Sequence, residues 1–84
     1  MNEQIIEIKN LLNSINEESD GIENILQDKD DRQEYIEYLD RLIRDSIVAM
    51  YTTQGDTFLK YRHRTEALLR IANIIYTYYI VLQI

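Results

Sequence analysis

Four carboxylates in this 84-residue chain have a spacing that could support chemistry. Asp20 and Glu23 stand three residues apart, as do Glu37 and Asp40, with thirteen residues between the two pairs. Acids at i and i+3 share a helix face, and two such faces can converge on magnesium. The ion would hold a nucleotide's phosphates and activate water. His63 lies in the basic run Lys60-Tyr61-Arg62-His63-Arg64, where adjacent cations disfavour its protonation. Glu66, one turn on, is the carboxylate that could orient it as a base. Asp28, Asp30 and Asp31 begin like a calcium loop, but the pattern fails. Arg32 and Gln33 fall where an oxygen ligand and a glycine are required, and Leu39 replaces the closing glutamate. Zero cysteines and a single histidine exclude thiolate and multi-histidine metal sites. Ser14, Ser19 and Ser46 have no neighbouring histidine, and Gly21 and Gly55 are too isolated to form a phosphate-cradling loop.

The Asp20-x-x-Glu23…Glu37-x-x-Asp40 arrangement resembles the ExxE…ExxD pattern of the all-α, MazG-like nucleoside triphosphate pyrophosphatases. The resemblance covers these four residues and departs at the first, where Asp20 stands for glutamate. It implies a magnesium-dependent hydrolase assembled from helical subunits. A capping box at Asp20 followed by an exposed acidic pair accounts for the same residues in a chain with fifteen acids. The expectation is accordingly a protein that is no enzyme and uses no cofactor or metal, with the hydrolase as the alternative.

The elements that would carry these residues follow from composition and periodicity. No proline and two glycines leave little material for tight turns, so long helices are expected in a single all-α domain over residues 1–84. Ile5, Ile8, Leu12 and Ile15 make a heptad seam for a helix over 3–18, with Asn2 as its N-cap. Ser19-Asp20-Gly21 supplies a break. A short helix over 21–28 would be capped by Asp20 with Glu23; a single first helix bent near Gly21 is the alternative. Asp30 with Gln33, or Asp31 with Glu34, would cap a helix over 31–51 burying Ile36, Leu39, Ile43, Ile47 and Met50. The segment Thr52–Gly55 is the second turn, with Asp56 or Thr57 capping a helix over 57–82. The fold expected is a small bundle of three long helices and one short one.

From Ile71 onward the last helix loses its polar face. Fourteen residues to Ile84 reach only about 21 Å as a helix, against a hydrocarbon core of about 30 Å, so membrane spanning is disfavoured. An intermolecular strand is compatible with the β-branched and aromatic content. A helix apolar on most sides should be buried on most sides, and so short a chain cannot supply all of that cover. Homodimerisation through Ile75, Tyr76, Tyr78, Tyr79 and Leu82 is therefore expected, tyrosines suiting the edge of an interface.

The charge is split. Residues 1–45 carry thirteen acids and five bases, and residues 46–84 two acids and four bases, giving −6 in all. Overall acidity disfavours nucleic-acid binding, although Lys60, Arg62, His63 and Arg64 form a basic cluster that could touch phosphates in an accessory role. Those cations occupy the first turns of a helix, where the dipole favours anions, so acids of the first 45 residues should compensate them. The favoured function is non-enzymatic: binding a partner protein through the acidic face Glu34, Glu37, Asp40 and Asp45, as an inhibitor, regulator or assembly factor of phage or mobile-element type. Met1 is followed by Asn2, Glu3 and Gln4 rather than by a basic, apolar leader, which makes the cytoplasm the expected location.

Overall fold

The computed structural model describes residues 2–83. Among them the chain is all-α. It forms α1 (Glu3–Ser14), α2 (Ile22–Gln27), α3 (Lys29–Tyr51) and α4 (Gly55–Ile75), and α4 continues into a π-helical turn (Tyr76–Ile80) and a 3-10 turn (Val81–Gln83). The helical tail excludes the strand reading for the described residues. No helix among them is long and apolar enough to cross a membrane.

Local chemistry sets the boundaries. Asn2 caps α1 as expected, its Oδ1 accepting the Ile5 N–H at 2.8 Å. The helix stops at Ser14 rather than reaching residue 18, because Asn16 turns left-handed at φ 59°. The Asn16 N–H then bonds to the Asn13 carbonyl at 3.2 Å and the Glu17 N–H to that of Leu12 at 2.9 Å. That is a Schellman stop with asparagine in the place usually held by glycine. The stop also removes the alternative of one bent helix. Asp20 does not cap α2: the N-cap is Gly21 at φ 74°, with no side-chain bond to the helix. The cap of α3 is Asp28, whose carboxylate accepts the Asp31 N–H at 2.9 Å, so the helix begins before both Asp30 and Asp31. At its far end the Thr52 and Thr53 hydroxyls donate to the Val48 and Ala49 carbonyls at 2.9 and 2.8 Å, adding to the Thr52 N–H that both carbonyls also accept. Neither Asp56 nor Thr57 caps α4, whose N-cap is Gln54 without a side-chain bond.

α3 and α4 form an antiparallel hairpin, and at 1.5 Å per residue α3 alone is about 34 Å long. α1 packs on α4 and α2 on α3. Glu7 meets Arg70 and Glu17 meets Arg64, so α1 runs antiparallel to α4. This cover reaches only one half of the hairpin. Ile5, Ile8, Leu12, Ile15, Ile22 and Leu26 close over Ile36 and Leu39 of α3 and over Ala67, Leu68, Ile71, Ile74 and Ile75 of α4. Between Leu39 and Ala67 no apolar side chain is fully buried; the expected core positions Ile43, Ile47 and Met50 are half-buried. The other half of the hairpin is a two-helix arm, which accounts for the 41 × 21 × 19 Å shape. At the base of the arm lie the two buried polar residues Ser46 and Thr65, their hydroxyls 2.8 Å apart. The Thr65 hydroxyl also lies within bonding range of the Tyr61 carbonyl, at 2.8 Å.

Truncating the head and truncating the arm should therefore differ sharply. Leu68→Ala, at a wholly buried position, is expected to lower the urea-unfolding free energy by about 2–5 kcal/mol. Val48→Ala, on the exposed side of the arm, should change it by no more than about 0.5 kcal/mol. Equal losses at the two sites would refute the head-and-arm division.

Candidate functional site

The α3 helix carries six of the fifteen acids, more than any other element, and near its N-terminal half its surface becomes concave. Ile25 from α2 and Asp31, Glu34, Tyr35, Glu37, Tyr38 and Arg41 from α3 line an open groove of about 460 Å³. Asp31, Glu34 and Glu37 have no ion-pair partner among the described residues. The rings of Tyr35 and Tyr38 pack tilted, with centroids 5.9 Å apart. Glu34 and Glu37 thus fall where the acidic face was expected. Asp40 and Asp45 are exposed on α3 but do not line the groove. Tyr35 and Tyr38 were not foreseen as site residues, although their three-residue spacing in an acidic helix puts them on one face.

Glu17, in the loop after α1, links the two long helices. It accepts the Tyr38 hydroxyl at 2.9 Å through one oxygen and pairs with the Arg64 guanidinium at 2.8 Å through the other. Arg64 also donates to the Ile15 carbonyl at 3.1 Å. The compensation expected for the basic cluster is met at Arg64 alone, by an acid from the first half of the chain. Arg62 pairs with Glu66 one turn on, at 3.4 Å, so Glu66 serves the arginine rather than orienting His63. Lys60 and His63 stay exposed and, with Arg64, border a smaller hollow beside Ser14, Ile15 and Asn16.

The four carboxylates of the magnesium reading are not gathered. Glu23 lies 3.0 Å from Lys9 and is held below the usual carboxylate range, first by its own backbone N–H and then by that lysine. Among the described residues no three acids or histidines stand close enough to hold a metal ion.

The expected self-association residues separate into two sets. Ile75 is fully buried in the core of its own chain, which corrects its placement at an interface; Tyr79 is half-buried against that core. Tyr76, Tyr78, Val81 and Leu82 remain 46, 41, 59 and 64% exposed. A straight α-helix burying Ile71, Ile74 and Ile75 would next bury residues 78, 79 and 82. The π turn instead closes i→i+5 bonds and adds about one residue to its turn, so Tyr79 and Ile80 face inward and Leu82 outward. No family model, curated protein or solved structure matches the chain.

Two measurements check this geometry. Burial, aided by the neighbouring Tyr38 and then by the negative charge of Glu17, pushes the Tyr35 phenol from its usual 10 to about 12. The folded state therefore keeps that proton where the unfolded chain has lost it. The associated stability is present below pH 10 and falls as the pH rises towards 12; Tyr35→Phe should flatten this part of the stability–pH curve. Glu17→Gln should cost about 1–3 kcal/mol in thermal or urea unfolding, because an ionised acceptor serving two donors is replaced by an amide. No change on that substitution would mean that the link between the helices is only apparent.

Proposed function

We propose that this is a non-enzymatic protein-binding module that acts as an inhibitor, regulator or assembly factor, with the groove on α3 as its contact surface. The observation that carries the reading is the combination of an aromatic and aliphatic floor with carboxylates that have no ion-pair partner among the described residues. Interfaces favour tyrosine at their centre and charge at their rim, where charge sets the choice of partner and the speed of encounter. Glu34 and Glu37 form that rim, and Asp40 and Asp45 extend the acidic face along the arm.

Self-association through the end of α4 accompanies this role. Val81 and Leu82 sit beside Tyr76 on a surface too apolar to be explained by the chain's own core. The second subunit would cover this outward set.

The function is tested by capturing the protein with its partner from the native host and repeating the capture with Glu34→Lys/Glu37→Lys and with Asp40→Lys/Asp45→Lys. Loss of the complex in either charge-reversed variant is the expected result; a complex indifferent to both refutes the acidic face. Self-association is tested by sedimentation. Val81→Glu/Leu82→Glu should convert a dimer to a folded monomer, because both positions are exposed in the single chain. Ile75→Glu, by contrast, should unfold it. A wild-type protein that sediments as a monomer removes the dimer.

A further inference from the structure

The groove beside α3 has a floor and a rim of opposite character, and the two together define an occupant. We propose that it takes a lysine- or arginine-bearing segment of the partner protein, with one apolar side chain seated against Ile25, Tyr35 and Tyr38 and the cations on Asp31, Glu34 and Glu37. The proposal rests on the protein-binding reading and specifies what is bound.

Charge complementarity selects this occupant. The three carboxylates follow one another at three-residue steps, spanning about 9 Å of helix at 1.5 Å per residue, with no cation among the described residues paired to them. An anionic ligand, nucleic acid or acidic peptide alike, meets like charge there. The tyrosine faces add attraction for a guanidinium or ammonium group, since the ring quadrupole is negative at its face. Arg41 stands at the opposite end of the lining from Asp31 and repels cations locally. The segment's cations therefore lie towards Asp31 and Glu34, and any carboxylate it carries lies towards Arg41. A second copy of this chain is a poor occupant. Its basic cluster already commits Arg62 to Glu66 and Arg64 to Glu17.

The test uses capped synthetic peptides of leucine and arginine in amphipathic order, titrated into the full chain by calorimetry at low salt. The same peptide with glutamate for arginine, and an arginine peptide lacking leucine, are the comparisons. The leucine–arginine peptide should bind, the glutamate peptide should not, and the peptide without leucine should bind more weakly and lose its binding in salt. Glu34→Gln/Glu37→Gln should weaken the first peptide by about five- to tenfold. Glu3→Gln/Asp56→Asn removes the same charge from exposed positions outside the groove and should leave the affinity unchanged. Equal weakening by the two variants, or no binding of the leucine–arginine peptide, overturns the proposal. So does a wild-type dimer that Glu34→Gln/Glu37→Gln dissociates, since a second copy would then fill the groove. A host-partner complex that survives Glu34→Gln/Glu37→Gln but not Asp40→Lys/Asp45→Lys keeps the protein-binding reading and removes the groove from it.

Discussion

Two antiparallel helices can bury apolar residues fully only where a third surface closes over them, and here that surface is short. α1, α2 and the loop between them supply six buried apolar side chains, all of which meet the same half of the α3–α4 hairpin. Everything else follows from that allocation. The head has a dry aliphatic core; the arm has a pair of hydroxyls at its base and half-buried side chains beyond. A buried polar pair that is fully hydrogen-bonded contributes little net stability but disfavours sliding of one helix along the other. Ser46 and Thr65 therefore fix the register of the arm where apolar packing alone would leave it loose.

The acidic balance of the chain is used unevenly in the same way. Glu7, Glu17, Glu23 and Glu66 hold cations of the chain itself, and three of these pairs tie α1, its loop or α2 to another element. Exposed pairs of this kind contribute little individually; the partly buried Glu17–Arg64 contact, with a tyrosine hydroxyl on the same carboxylate, is the one that anchors a loop. The carboxylates of α3 take no part in this internal pairing. Their field is directed outward, which is why the proposed contact surface lies on α3 rather than on the net-basic α4.

Much of the fold was legible in the sequence, and the failures have identifiable causes. The seam Ile5–Ile8–Leu12, the Asn2 cap, the break near Gly21 and the turn at residues 52–54 were all readable from spacing and residue type. The early end of α1 was not, because asparagine in a left-handed position looks like any polar helix residue until the chain turns there. The capping acids were misassigned because an Asp-rich stretch offers several acceptable caps, and packing of α2 on α3 selects Asp28. Of the candidate surface, Glu34 and Glu37 were visible as charge. The tyrosine floor was not, since a groove between α2 and α3 exists only once α2 has docked. Ile75 was misplaced for the same reason: the number of sides on which α4 is covered is a property of the assembled head.

The π turn at residues 76–80 gives the end of the chain a different phase from everything before it. A helix read at a constant repeat carries one inside and one outside from end to end, and any length change beyond the core slides both together. Here the frame slips within the chain itself. Tyr79 and Ile80 are held by the head, while Val81 and Leu82, the very next residues, are released from it. Rewinding the same residues as a regular α-helix would turn Leu82 inward and Ile80 outward, whereas removing Thr77 or Tyr78 would absorb the π turn and leave those roles as they are. The outer apolar surface at this end of the molecule is thus encoded in the winding of the helix as much as in the identity of its residues.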